Sequence, residues 1–510
     1  MAVTHGRVDA VAVAVLAGAY GQQWRLGKAS CSNGGDGMRL YDRLPPRLQD
    51  VACTLQGVHI QRLHYGGEFA EMLRTAEDRM GWDLGRLSEW RDERLSSFVA
   101  HAARYTTYYR NLFDEYGIDI DSIHGADGLQ QLPILTKSDV VDHATEFVAQ
   151  DVARSRLIRM HTSGTTGAGL VFSTTTEAIR EQWAIWWRYR RLHGLERGTP
   201  CAQFSEKMIV PRNQHTPPFW RLDAAGHRVL FSELHMNESN LRLYAEELRK
   251  LKYPWIHGYT SLVALMAAYI SETKFDLGYQ PTWVTLGAEN VLPSQASTIE
   301  HAFGVKPIQH YGLAEGVANI SEWPDGRMIV DDDFAFVEFL PMNDGRFRII
   351  GTNLSNPAFP LIRYDTGDIA SIAPASSGDV PAGAFRRTVT SLDGRCEDYV
   401  ILKDGTKFGK LDSVFKDITG IAGAQIRQTT PGSITVIVRP GNAFSPEDVN
   451  QVRRNLLERL GEDTGIAIQV DPHLGEGLQG KFRFVVSSVP GGSISSCGST
   501  RDESQMQTNH

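Results

Sequence analysis

Apolar and polar positions along the chain sort into a few clear patterns. In RLSEWRDERLSSFVAHAARYTTYYRNLFDE (residues 86–115) apolar and aromatic side chains recur at helical spacing, which predicts helix. LPILTKSDV (132–140) reads as a short extended piece entering a helix at Lys137-Ser138-Asp139. LIRMH (157–161) and LVFSTTT (170–176) read as strands, and EAIREQWAIWWRYRRLHGL (177–195) as a long amphipathic helix. Strand-like and helix-like stretches then alternate, PWIHGY before TSLVALMAAYISE and WVTLGAE before SQASTIEHAF. That alternation argues for an α/β fold with a layered sheet. Between 326 and 371 the pattern shortens to GRMIV, FAFVEFL, RFRIIGTN and ASIA, strands with turns that suggest a small β subdomain. From about 395 a new unit begins, with YVILKDG, a helix at KLDSVFKDI, strands QIRQTT and SITVIVRP, a helix at SPEDVNQVRRNLLERLG, and AIQVD. It reads as a compact α+β domain of roughly one hundred residues.

Length changes this picture only by requiring more than one core, since 510 residues exceed what a single core holds. The expected division is an extension over 1–38, a large domain over 39–394, a small domain over 395–488 and a polar Ser/Gly-rich tail over 489–510. The extension and the tail are expected to be disordered. Hydrophobic content of 42% and charged content of 22% are globular values. The net charge of −8 gives no sign of a nucleic-acid binder, although it allows a local cationic pocket. Cys31, Cys53, Cys201, Cys396 and Cys497 share no metal-ligand spacing, and an odd, scattered set suits a reducing compartment. His215, His235 and His257 stand too far apart to argue for zinc. The apolar run VDAVAVAVLAGAYG (8–21) lacks a clean cleavage pattern and is too short to span a bilayer. A cytoplasmic protein without a membrane partner is the expectation.

The stretch HTSGTTGAGL (161–170) has two readings. Ser, Thr and Gly gather in surface turns, where Gly tolerates positive φ and hydroxyls satisfy nearby backbone. The same residues form phosphate cradles, in which glycines let the backbone approach and N–H groups and hydroxyls face anionic oxygens. The stretch joins two strands instead of opening a helix, and the spacing GxxxxGK[ST] is absent, which removes the Walker-loop reading.

Further blocks follow in order: WVTLGAEN (283–290), QHYGLAEG (309–316), RYDTGD (363–368), DGRCEDYV (393–400) and LQGKFRF (478–484). With HTSGTTGAGL they resemble the adenylate-forming superfamily of acyl-CoA synthetases, peptide-synthetase adenylation domains and luciferases. YDRLPPRLQDVACTLQGVHIQR (41–62), YYRNLFDEYGID, LPILTK and YGLAEGVANISEWPDGRMIV (311–330) carry a narrower likeness to phenylacetate-CoA ligase-like proteins, including those filed with capsular polysaccharide biosynthesis. The likeness covers roughly residues 40–488.

The resemblance implies a large domain and a small mobile C-terminal domain, with ATP and Mg²⁺ as cofactors and CoA as co-substrate. Thr162, Ser163, Gly164, Thr165, Thr166 and Gly167 would hold the β- and γ-phosphates. Glu315 would ligate Mg²⁺, a hard cation that takes oxygen ligands. Tyr311 and Gly312 would lie against adenine, with the backbone of Gly287, Ala288 and Glu289 at its edge. Asp368 would accept from the ribose hydroxyls, supported by Arg395. Asp398 would be the hinge of the small domain, Lys481 the catalytic cation, and Gly258 and Tyr259 walls of the acid pocket. Two departures stand out: Ala168-Gly169-Leu170 follows the loop where the family often has a lysine, and Ala314 replaces a frequent threonine. The implied reaction activates a carboxylic acid, aryl acids first, as acyl-AMP and passes the acyl group to CoA. Alternatives are an amine acceptor, an inorganic oxyacid substrate, or a nucleotide-binding protein without catalysis. The acid's identity and the oligomeric state are not readable from the sequence.

Overall fold

The computed structural model describes residues 41–162, 170–205, 208–343, 345–373, 386–393, 399–408, 411–415, 418, 420–441, 444–472, 474 and 484–489. Their contacts form two compact units, one of residues up to 393 and one from 399 onward.

The larger unit opens with helices α1 (Pro46–Tyr65), α2 (Phe69–Met80), α3 (Leu84–Tyr105) and α4 (Thr107–Tyr116). The single helical pattern of residues 86–115 is therefore divided. Thr106 sits between α3 and α4 in extended backbone, donating its hydroxyl to the Ala102 carbonyl at 2.8 Å and accepting the Tyr109 N–H at 3.3 Å. A hydroxyl that competes with the helical ladder ends one helix and caps the next. The turn at Lys137–Asp142 starts with a capping box between Thr136 and Asp139. Strands β1 (Ile158–His161) and β2 (Val171–Thr174) pair antiparallel from Ile158–Thr174 to His161–Val171. Helix α5 (Thr176–Leu192) follows, capped by the Thr175 hydroxyl.

Parallel strands β3 (Cys201–Ser205), β5 (Arg228–Ser232), β6 (Trp255–Tyr259), β7 (Trp283–Gly287) and β8 (Ile308–Gly312) lie in the order β5-β3-β6-β7-β8, with β4 (Trp220–Asp223) antiparallel on the outer edge of β5. Alternate side chains leave opposite faces. Ala202, Phe204, Ile256, Val284 and Leu286 pack with α6 (Glu238–Leu251), α7 (Thr260–Thr273) and α8 (Pro293–Phe303). Cys201 and Trp255 face the other way, against Phe69 and Leu73 of α2 and Trp187 of α5. A sheet covered on both faces explains why neighbouring residues such as Trp255 and Ile256, or Trp283 and Val284, are both apolar although they point to opposite sides.

The β-rich stretch is hydrogen-bonded into the same sheet. Strand β9 (Asn319–Glu322) runs antiparallel to β8, and β10 (Met328–Val330), β14 (Thr388–Asp393), β13 (Tyr364–Ile372), β12 (Phe347–Thr352) and β11 (Phe336–Pro341) follow outward, giving twelve strands among the described residues.

In the smaller unit β15 (Val400–Ile401) and β16 (Lys407–Phe408) form a short ladder. Beyond them β17 (Ile421–Thr430), β18 (Ser433–Pro440), β19 (Gly465–Val470) and β20 (Val485–Ser487) form a sheet in the order β19-β18-β17-β20. Helix α9 (Pro446–Leu460), opened by a Ser445/Asp448 capping box, buries Val452, Leu456 and Leu460. The helix expected at KLDSVFKDI is only a tight 3₁₀ turn, Leu411–Phe415, which already buries Leu411, Val414 and Phe415. Among the described residues no helix is long and apolar enough to cross a membrane.

Candidate active site

Tyr259, Gly287 and Gly312 are the last residues of the adjacent parallel strands β6, β7 and β8. Ligands of open α/β sheets bind at this carboxyl edge. Tyr259 stands in register with Gly287. Gly258, one residue inside, is opposite Phe204, and a β-carbon there would fall 2.4 Å from the Phe204 carbonyl oxygen. Glycine is needed for that close strand approach, so of the two expected wall residues it is Tyr259 that terminates the strand. Ala288 turns the chain with a φ of 65°, a left-handed conformation that costs an L-residue roughly 1–2 kcal/mol. The Glu289 carboxylate accepts from the Ser261 backbone N–H at 2.7 Å and from the Ser261 hydroxyl at 3.0 Å. It therefore caps the first turn of α7, and what this segment leaves to face the carboxyl edge is backbone.

Strands β8 and β9 form a hairpin in which Tyr311 pairs with Ile320 and Gly312 with Asn319. Glu315 lies in its connecting loop, 9% exposed, with its carbonyl accepting from the Asn353 amide at 3.2 Å. Tyr311 and Glu315 are thus held by one rigid element. Asp368, also 9% exposed, comes from β13, four strands away in the sheet order. In a flat sheet four strand spacings amount to about 19 Å. The Tyr311 hydroxyl nevertheless donates to Asp368 Oδ2 at 2.9 Å, so the sheet curls to bring β13 over β8. The start of β13 is fixed by Arg363, buried, with a φ of 55°, whose Nε and Nη2 donate to the two oxygens of Glu338 at 3.0 Å each. A register shift between Arg348 and Ile350, and the Asp368 N–H donating to Thr366 Oγ1 at 3.1 Å, aim the Asp368 side chain.

Tyr259, Gly287, Ala288, Tyr311, Gly312, Glu315 and Asp368 all lie on or beside this edge of the larger unit, and Thr162 closes the neck of the β1–β2 hairpin, its N–H donating to Leu170 O at 2.9 Å and its hydroxyl accepting the Leu170 N–H at 3.0 Å. Ser163, Gly164, Thr165, Thr166, Gly167, Arg395, Asp398 and Lys481 lie outside the described residues. The described residues contain no cluster of three His, Cys, Asp or Glu side chains suited to a metal. A buried carboxylate at Glu315 fits a Mg²⁺ ion that takes its other ligands from phosphates and water, the usual habit of that ion.

Two groups beneath the edge, His310 inside the 309–316 block and Trp186 outside every block, are given no role by the motifs. His310 is half-buried and stacks on Tyr189, with ring centroids 4.8 Å apart, and desolvation holds its pKa well below the ordinary histidine value. Its Cε1 would lie 3.4 Å from a β-carbon at Gly287, so a neutral imidazole floors this part of the edge. Trp186 donates its indole N–H to Asn319 Oδ1 at 3.0 Å and would crowd any side chain at Gly312. Helical periodicity marks Trp186 as inward-facing, but nothing in the sequence tells which strand it meets.

No protein-family model matches the chain. It is 21% identical over 458 residues to Protein CapK of Staphylococcus aureus, covering 88% of this chain and 99% of that protein. It is 25% identical over 342 residues to phenylacetate-coenzyme A ligase of Escherichia coli K12, covering 63% and 74%. A crystal structure of 2-hydroxyisobutyryl-CoA ligase with 2-HIB-AMP and CoA superposes at a TM-score of 0.48 and 16% identity, over 79% of this chain and 90% of that one.

Proposed function

We propose that this chain is a member of the adenylate-forming superfamily, an ATP- and Mg²⁺-dependent ligase that converts a carboxylic acid, aromatic acids first, into an acyl-AMP and passes the acyl group to CoA in the cytoplasm; its likeness to CapK and to phenylacetate-coenzyme A ligases supports this reading. The observation that carries the reading is the Tyr311–Asp368 hydrogen bond, which joins residues of two separate blocks at the carboxyl edge of β6–β8. Tyr311 offers a ring face for adenine, and the second oxygen of Asp368 serves the ribose hydroxyls. The 287–289 backbone borders the base, while the 163–167 loop and Arg395 would complete the phosphate and ribose contacts. Glu315 would hold Mg²⁺, which supplies charge neutralisation on the phosphates.

In the first half-reaction a carboxylate oxygen of the acid attacks the α-phosphorus, the P–O bond to pyrophosphate breaks, and acyl-AMP remains. Lys481 would neutralise charge on the α-phosphate and the attacking oxygen together. In the second, the CoA thiolate attacks the acyl carbon and AMP leaves. Ala314 offers no hydroxyl to the α-phosphate, and Ala168-Gly169-Leu170 offers no cation, so more of the stabilisation falls to Lys481. The test is a panel of carboxylic acids with ATP and Mg²⁺, with and without CoA, followed by mass spectrometry. Acyl-CoA and AMP in equal amounts are expected. AMP with no thioester, but with an amide when amines are supplied, would transfer the proposal to an amide-forming ligase.

A further inference from the structure

A cavity of about 420 Å³ lies in the larger unit, beneath α5 and over the amino-terminal halves of the parallel strands. Cys201, Arg228 and Trp255, the first residues of β3, β5 and β6, line it, and His257 marks its deepest point along β6. The candidate active site uses the opposite end of these strands. From Trp255 to Tyr259 along β6 is four residues, about 13 Å. Its size is within the range of small-molecule pockets.

The walls have a definite chemistry. Three arginines, Arg190, Arg197 and Arg228, contribute to them and no carboxylate does. Arg228 is already engaged by Asp223 at 2.7 Å. Arg190 is not: it is 4% exposed, has no carboxylate partner among the described residues, and its Nε has no hydrogen-bond acceptor there. Its guanidinium lies 5.2 Å from the Trp187 ring, 5.2 Å from Tyr189 and 5.8 Å from Trp255. Stacking on rings recovers part of a desolvated charge but leaves the Nε–H unused. The Trp187 indole N–H, on a residue 5% exposed, lies beside the Tyr65 hydroxyl, which lines the same cavity. A buried guanidinium with no carboxylate partner among the described residues and an unpaired Nε–H thus borders a space that Tyr65, Trp183, Trp187 and Trp255 line together with polar residues. Buried donors of this kind take a partner wherever one is supplied. Burial also pushes the Cys201 thiol up to about 12, so the cavity holds no thiolate nucleophile and its ligand would be bound, not covalently captured.

We propose that this cavity is a second binding site, separate from the nucleotide edge, for a small organic anion with a planar apolar body, its anionic head on Arg190 and its body against the Trp183, Trp187 and Trp255 rings. The inference does not rest on the ligase activity, because binding is read without ATP.

The probe is 2-naphthoate, titrated calorimetrically into the full chain, with 2-naphthamide as the uncharged isostere. Two variants serve: Arg190→Gln, which keeps a stacked polar group without charge, and Ala225→Trp, at the half-buried β4–β5 turn, which fills the mouth without touching Arg190. Naphthoate should bind the parent and bind at least tenfold more weakly to each variant, and naphthamide should bind the parent at least tenfold more weakly than naphthoate. Saturating AMP should leave naphthoate binding unchanged. If Arg190→Gln fails to fold, Ala225→Trp decides alone. No binding to the folded parent, or equal affinity in the folded variants, overturns the proposal. So does consumption of naphthoate with ATP cleavage that Ala225→Trp abolishes, because the cavity would then be the ligase's own acid pocket.

Discussion

Arg188 of α5 is the best place to test how the β8–β9 hairpin is held. It is 4% exposed, and its guanidinium donates to Asp333 at 2.6 and 2.8 Å, to Asp331 Oδ1 at 2.8 Å and to the Ala76 carbonyl at 2.9 Å. Arg79 of α2 adds a 2.7 Å contact to Asp333. Burial alone would raise the Asp333 pKa, but the two guanidiniums more than reverse it and hold the carboxyl well below the usual range. At Asp331 burial prevails and the pKa is raised. Asp331 in turn accepts from Asn319 and Ser321, both on β9, so the cluster ties α2 and α5 to the hairpin that carries Glu315. Arg188→Met would leave Asp333 half-compensated and Asp331 without a cation. Breaking a buried ion pair on one side costs about 3–5 kcal/mol. Nine tryptophans, between Trp82 and Trp323, report on the larger unit and none lies in the smaller one, so urea unfolding followed by tryptophan fluorescence isolates the right transition. Arg74→Met, which removes the exposed pairs to Glu71 and Asp78, is the control and should leave the curve unchanged. A loss below about 1 kcal/mol for Arg188→Met would refute the claim that the cluster anchors the hairpin.

Glu315→Gln should weaken the Mg²⁺ dependence and lower adenylation by on the order of a hundredfold with folding intact; unchanged turnover at limiting Mg²⁺ would remove Glu315 from the metal site. Asp398→Pro, which fixes φ and removes an N–H at the expected hinge, should depress one half-reaction far more than the other, and equal losses in both would argue against a hinge there. Burial lowers the His235 pKa from 6.5 to about 4, so its contribution is complete above pH 6.5 and is lost as pH falls toward 4, about 3 kcal/mol in all. His235→Gln should flatten the fall in stability over that window, and an unaltered pH profile of urea midpoints would contradict the assignment.

The elements that local pattern determines were legible. Strands β6 and β7 and helices α7 and α8 are where the apolar runs place them, and a helix opens at Lys137 as the sequence predicts. The motif blocks pointed to Tyr311, Glu315 and Asp368, and the structure brings Tyr311 and Asp368 into contact. What the sequence hid is long-range. The curl that carries β13 back to β8 is a property of the whole sheet, and the break at Thr106 depends on one hydroxyl winning against helix propensity. Glu289 is part of a motif, yet its side chain is consumed by Ser261, which no spacing rule reveals. Trp183 and Trp187 read as ordinary core from their periodicity. That they wall a cavity beside an uncompensated Arg190 appears only when β3, β5 and β6 are laid next to α5.

The central claim is acid-dependent chemistry at the α-phosphorus, and the most direct measurement is exchange of labelled pyrophosphate into ATP, run for the parent and for Lys481→Ala across the acid panel. The parent should show exchange that depends on one class of acid and on Mg²⁺. Lys481→Ala should lower that exchange by about two to four orders of magnitude, roughly 3–5 kcal/mol, while still binding ATP and still transferring acyl groups from preformed acyl-AMP. No acid-dependent exchange in a folded, ATP-binding parent, or exchange at the parent rate in Lys481→Ala, would contradict the account.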